Sequence, residues 1–219
     1  MIKMNKIRRN TAVEMIEHWS IALSGIVLIF TGLGCLPLYK RYFITELPGF
    51  AWTGNFFTVT QVHYISAIIF CSAVFFHIFN HGLSKEWGLI PKKGDLKNSV
   101  KLILATFGIG HEPPSDKYLP EQRVAYFGIG LIVLVLIFSG IIKVLKNLEL
   151  VVLSPIAEAV NTLIHTIFGA FFLLAFLVHI SFILLFKDNR HLLKGMLTGW
   201  VSEDYVKRRH SLWYEKMKK

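Results

Sequence analysis

Histidine is the residue whose placement invites chemistry in this chain. Nine occur in 219 residues. Five of them, His18, His63, His77, His165 and His179, lie in or at the edge of long apolar stretches. His63 and His77 are 14 residues apart, and so are His165 and His179. On a helix, 14 residues turn through about 1400°, about 40° short of four turns, so each pair shares one face. The two members of a pair then stand about 21 Å apart along the axis. Neutral imidazole is a strong ligand for iron, and a low-spin electron-transfer haem takes one axial side chain on each side of its plane. Histidines at two depths on neighbouring helices have the chemistry to hold two stacked haems. The same residues can serve instead as a proton relay or as helix–helix hydrogen-bonding groups.

The elements that must position these histidines are membrane spans. No Asp, Glu, Lys or Arg lies between Arg41 and Lys85 except Glu46, and none between Glu158 and Lys187. A spanning helix needs about 20 mostly apolar residues. Four windows meet that requirement: about 18–39, 57–80, 124–142 and 159–186. Unbroken rather than alternating apolar runs select helices over a barrel. The expected fold is an all-α membrane protein, a four-transmembrane-helix bundle forming a single domain over residues 1–219.

The charge pattern orients it. Lys3, Lys6, Arg8 and Arg9 precede the first window, seven basic residues lie between the second and third, and nine follow the fourth. Only Lys40, Arg41, Lys143 and Lys146 fall on the other side. The positive-inside rule places both termini and the 82–123 loop in the cytoplasm. His63 and His165 then share an outer depth. His77 and His179, each eight residues before a cytoplasmic lysine (Lys85, Lys187), share an inner one. His18 opens the first span at that inner side, so the spacing leaves both His77 and His18 open as the partner of His179.

The net charge of +10 is thus topological, and a nucleic-acid-binding role is excluded. Two cysteines, Cys35 and Cys71, without a C-x-x-C motif give no basis for an iron–sulfur cluster, a zinc ribbon or c-type haem attachment. The basic N-terminus leads into a span-length run without a cleavage site, so it reads as retained. Residues 96–107 have the apolar spacing of an interfacial helix. Residues 187–219 read as a basic, aromatic cytoplasmic tail at the headgroups or against a partner. His81 is expected at a helix end, His111 in a loop, and His191 and His210 in that tail. Small residues follow the histidines closely: Ser24 and Gly25, Ser66 and Ala67, Gly169 and Ala170.

Further motifs give the chain a family likeness. They are His18-Trp19 with Thr31-Gly32, Gln61-Val62-His63, Lys117-Tyr118 with Gln122, Ser139-Gly140, and the His165/His179 pair. The tail adds Lys194-Gly195-Met196-x-x-Gly199-x-Val201-Ser202 and His210-x-x-Trp213-Tyr214-Glu215. Over almost its whole length the chain resembles the gamma subunit of membrane-bound formate dehydrogenase, a dihaem cytochrome b of the prokaryotic cytoplasmic membrane. The resemblance implies two b-type haems, one held by His63 and His165 and the other by His18 and His179. It implies a quinone (menaquinone or ubiquinone) near the inner haem, with Gln122 at its site. Leu119 and Glu121 stand there where the family pattern has Asn and Gly. It also implies an iron–sulfur electron-transfer subunit and a catalytic dehydrogenase subunit as partners, because this chain has no substrate-oxidising site of its own. Arg8, Arg9 and Lys194 are the candidates to pair haem propionates. The rival readings are the cytochrome b subunit of a hydrogenase or of a thiosulfate or polysulfide reductase, a proton channel or transporter with a histidine relay, and a membrane anchor with incidental histidines.

Overall fold

The computed structural model describes residues 6–218. Lys3 and Lys219, two of the basic residues counted above, lie outside them. In chain order the elements are β1 (Lys6–Arg8), α1 (Ala12–Gly34), α2 (Leu38–Arg41), α3 (Phe56–Ser84), α4 (Asp95–Thr106), α5 (Pro120–Asn147), α6 (Pro155–Leu185), α7 (Arg190–Thr198), β2 (Trp200–Ser202), α8 (Glu203–Arg209) and α9 (Ser211–Met217). Short 3₁₀ turns fill several connections. Four helices, α1, α3, α5 and α6, are long and apolar enough to cross a membrane. Their 23, 29, 28 and 31 residues correspond to roughly 35–47 Å of helix, more than the ~30 Å hydrocarbon core.

Polar caps set where these helices begin. Thr11 and Glu14 form a reciprocal capping box, so α1 starts six residues before the expected window. It ends at Gly34 rather than Tyr39, and Pro37 opens the separate turn α2. Asn55 caps α3 and Ser154 caps α6, each through its side-chain oxygen. Pro120 takes the first turn of α5, where its missing N–H is no loss.

The helices pair as α1 with α3 and α5 with α6. Between the pairs sits a small apolar core of Phe70 and Val74 from α3 and Val133 and Ile137 from α5. Ile21 and Leu28 of α1 and Phe172 of α6 pack against it. Outward-facing Ile65, Ile68, Phe76, Phe138 and Leu174 are more than half exposed, as a lipid-covered surface requires.

Both described ends of the chain meet at one end of the bundle, called here the terminal end. β1 and β2 form an antiparallel two-stranded ribbon, with Ile7 opposite Val201. This ribbon is a small departure from the all-α expectation. It exists because Gly199 turns the chain at φ +81°, with Asn10 O only 3.0 Å from where a Cβ would stand. The tail is a packed cap rather than a loose surface segment. Val201, Tyr205 and Val206 form its core, joined by Ile7, Leu192, Trp213 and Tyr214. His210 is fully buried there. Its Nδ1–H donates to Asp116 O at 2.7 Å, which leaves Nε2 to accept from Arg9 Nη1 at 3.3 Å. Arg9 also donates to Lys117 O and lies over the rings of Tyr118 and Trp213. Burial and the neighbouring Arg9 push the His210 imidazole down to about 4.

The amphipathic helix α4 is tied to α5 by a buried ion pair. Arg123 Nε and Nη2 donate to the two carboxylate oxygens of Asp95 at 2.7 and 2.6 Å. Leu96 and Val100 on α4, and Phe107 just after it, are exposed, leaving an apolar face of the kind an interfacial helix presents.

Candidate functional site

The bundle brings four of the five histidines together as two facing pairs. The rings of His63 (α3) and His165 (α6) have centres 6.4 Å apart and planes inclined at 70°. The rings of His18 (α1) and His179 (α6) also have centres 6.4 Å apart, with planes at 56°. Two imidazoles bound to opposite sides of one metal, each nitrogen about 2 Å from it and about 1.1 Å from its own ring centre, would place the ring centres about 6.2 Å apart. Both pairs therefore have the separation that shared axial ligation needs.

The first pair has a defined tautomer. His63 Nδ1 lies 2.8 Å from Thr31 Oγ1, and His165 Nδ1 lies 2.9 Å from Ser139 Oγ. Each hydroxyl donates its own hydrogen to the carbonyl four residues earlier, Val27 O and Val135 O, at 2.7 Å. A hydroxyl whose hydrogen is so used can only accept from the ring. Nδ1 is then the protonated nitrogen in both histidines, and Nε2 keeps its lone pair for a metal. The two halves repeat one device: a hydroxyl on one helix fixes an imidazole on its partner helix. A glycine follows each hydroxyl. A Cβ on Gly32 would stand 3.7 Å from His63 Cε1, and one on Gly140 would stand 3.4 Å from His165 Cε1. Small residues at these two positions let the rings lie against the neighbouring helix.

The second pair is placed by α1 and the cap. His18 meets Trp19 edge-on at 5.4 Å. Trp19 Nε1 donates to Met196 O of α7 at 2.9 Å, so the tail motif anchors this end of α1. Gly195 in that motif has Val201 and Asn10 side-chain atoms within 3.3 Å of a would-be Cβ. Neither His18 nor His179 is tied by a side-chain hydrogen bond to another described residue. Phe70 and Phe172 meet edge-on, with ring centres 5.9 Å apart, at the midpoint of the interval separating the two histidine levels. A Cβ on Gly25 would stand 3.3 Å from Phe172, so its smallness admits that ring.

His77 sits elsewhere. Its Nδ1 is 2.9 Å from Glu17 Oε2 and its Nε2 is 2.8 Å from Tyr126 Oη. Both ring nitrogens are engaged away from His179, and the geometry thus favours His18 over His77 as the partner of His179. His81 joins this cluster, with its ring centre 4.3 Å from that of His77. Gln122 Oε1 accepts the Leu119 N–H at 3.1 Å and so helps begin α5. Beside it, Leu119 is buried and Glu121 Oε2 is buried without a hydrogen-bond partner among the described residues. Arg9 is consumed by the cap and is not a free cation for a propionate. Histidine spacing alone does not point to Thr31, Ser139, Glu17 or Tyr126. The signal for the first two was the repeated hydroxyl–glycine dipeptide, Thr31-Gly32 and Ser139-Gly140.

Comparison with known proteins finds relatives at modest identity. The formate dehydrogenase cytochrome b556(fdo) subunit of Escherichia coli K12 is 22% identical over 226 residues, covering 100% of this chain and 97% of that one. The nitrate-inducible formate dehydrogenase cytochrome b556(Fdn) subunit of the same strain is 22% identical over 220 residues, covering 100% and 95%. The formate dehydrogenase cytochrome b556 subunit of Haemophilus influenzae is 24% identical over 212 residues, covering 95% and 82%. A family model described as prokaryotic cytochrome b561 matches residues 9–199, and the chain belongs to that family.

Proposed function

We propose that this chain is the dihaem cytochrome b subunit of a formate dehydrogenase-type respiratory complex. It passes electrons between an iron–sulfur partner subunit and membrane quinone. The observation that carries the reading is the pair of imidazole–imidazole gaps, each 6.4 Å between ring centres, at two levels of one bundle. His63 and His165 hold one b-type haem, and His18 and His179 hold the other. Each haem, when bound, supplies reversible one-electron chemistry at its iron. The chain's own residues orient the His63 and His165 imidazoles through Thr31 and Ser139 and exclude water with the apolar layer around Phe70 and Phe172.

The terminal end, which carries most of the basic residues, faces the cytoplasm of the prokaryotic cell membrane. Quinone reacts near the His18–His179 level, beside the start of α5. There the amide nitrogen of Gln122 remains as a donor once its oxygen has capped the helix. The catalytic dehydrogenase subunit contacts the chain through loops and cap, because lipid covers the helices.

The test is a pyridine haemochrome assay with a redox titration on the purified full chain. Two b-type haems per chain are expected, with two midpoints. His63→Ala and His179→Ala should each remove one haem and a different midpoint. Haem-free protein, or full haem content in both variants, overturns the reading.

A further inference from the structure

At the terminal end of α3 the bundle assembles a second set of metal-ligating side chains that the haem reading does not use. Glu17, His77 and His81 each present one ligand atom, and the three atoms lie within 4.8 Å of one another. Glu17 Oε2 is 2.9 Å from His77 Nδ1 and 3.8 Å from His81 Nε2. Ligands about 2.0–2.1 Å from a tetrahedral zinc stand about 3.3 Å from one another. The two carboxylate–imidazole separations bracket that value.

The backbone explains why these three converge. His77 and His81 are four residues apart on α3, so they lie on one face, one turn above the other. Glu17 comes from α1. It neighbours His18 in sequence but is rotated about 100° from it, so the two residues address different helices. The Glu17 side chain is only 3% exposed, and burying a carboxylate to that extent requires partners.

The surroundings orient each ligand. Asn80 Nδ2 donates to Glu17 Oε1 at 2.8 Å and leaves Oε2 toward the histidines. Tyr126 Oη lies 2.8 Å from His77 Nε2, the nitrogen facing away from Glu17. The Glu86 carboxylate lies 3.9 Å from His81 Nδ1, again on the outer side. Metal-binding histidines characteristically give their second nitrogen to such an acceptor.

We propose that Glu17, His77 and His81 form a site for a divalent transition metal of the zinc class. Two neutral imidazoles and one carboxylate match its ligand preferences, and the fourth position is left to water. The site clamps α1 to α3 beside His18 and does not depend on the haem reading.

The test is zinc binding to the full chain purified in detergent, read by elemental analysis after dialysis against micromolar zinc and by zinc X-ray absorption. One zinc per chain with a two-imidazole, oxygen-containing shell is expected. His77→Gln and His81→Gln should each weaken binding at least about 100-fold, while Tyr126→Phe should weaken it about 10–100-fold. His191→Gln, outside the cluster, should leave it unchanged. Haem content and helicity, measured on the same samples, report folding. His81 lies in the last turn of α3, so its replacement keeps the test informative if the Glu17 or His77 variants do not fold. The proposal is overturned if His77→Gln and His81→Gln, correctly folded, keep wild-type zinc content, or if wild-type protein binds no zinc under these conditions.

Discussion

Replacing Thr31 by Val tests the tautomer argument at one atom. The two side chains have nearly the same shape, and Thr31 is 1% exposed, so the change removes an oxygen without opening a cavity. The loss is the acceptor 2.8 Å from His63 Nδ1. A buried donor left unsatisfied costs about 1–3 kcal/mol. Removing an outer partner of a metal-bound histidine weakens metal affinity about 10–100-fold, or about 1.4–2.7 kcal/mol, which agrees. Ser139→Ala removes the equivalent acceptor from His165. Both substitutions act on the haem proposed at His63 and His165 and leave the other proposed haem alone. With a haem bound, the hydrogen bond would also make each imidazole a better electron donor and so favour the oxidised iron. Without it the midpoint of that haem should rise by tens of millivolts, since ~1.4 kcal/mol corresponds to about 59 mV for a one-electron couple. The assay is haem content with a potentiometric titration of Thr31→Val, Ser139→Ala and a control, Ser24→Ala, whose hydroxyl bonds only to backbone. Full haem content with an unshifted midpoint in both variants would falsify the assignment of Nδ1 as the fixed nitrogen.

Two further predictions concern the terminal end. Asp95→Asn or Arg123→Met breaks a pair whose side chains are 5% and 8% exposed, and should destabilise the α4–α5 junction by about 3–5 kcal/mol in a detergent melting experiment. The hydrogen bond from Arg123 holds the Asp95 carboxyl below its ordinary value of 3.8. Its contribution is complete above that value and is lost as pH falls through the lower folded one. His210 behaves in the opposite sense to a histidine that gains a partner. Held down to about 4 against an ordinary 6.5, with Arg9, Arg209 and Asp116 facing it, it stays neutral while the unfolded chain takes a proton. Cap stability should therefore fall by about 3 kcal/mol as pH drops from 6.5 to 4. Trp213, 6.1 Å from His210, reports this by fluorescence. A His210→Gln variant should lose that pH dependence.

The spans and the two histidine levels were legible because membrane burial is a local property: a long run without charge must cross, and a polar exception inside it must have a use. Helix ends were less legible. The windows were cut where charge appeared, whereas Thr11, Asn55 and Ser154 begin their helices through side-chain caps. The cap was opaque for a different reason. His210 looks like any histidine in a basic tail until Arg9, 201 positions away, and Asp116, 94 away, are folded around it. Spacing gives His18 and His77 the same depth, and it is the family resemblance that implies His18. The fold adds that Glu17 and Tyr126 occupy the two nitrogens of His77.

The division of labour among the helices has a consequence for assembly. α6 contributes a histidine to each level, yet none of its residues is buried. Its side-chain hydrogen bonds to the other spans run to α5, including Asn161 Nδ2 to Ser139 O at 3.0 Å and the Ser139–His165 bond, while Phe172 packs against Phe70 of α3. By contrast α1 and α3 are bound to each other at both ends, by Thr31–His63 and by Glu17 with His77 and Asn80. Each proposed haem bridges these two units, His63 to His165 and His18 to His179. Ligation would add to the contacts that already join them, the Phe70–Val74–Val133–Ile137 core and the His77–Tyr126 and Asn147–Tyr64 hydrogen bonds. On this argument loss of either haem loosens α6 before it disturbs the α1–α3 pair, and protease sensitivity in His179→Ala should appear first at the 148–154 loop and around residues 186–190.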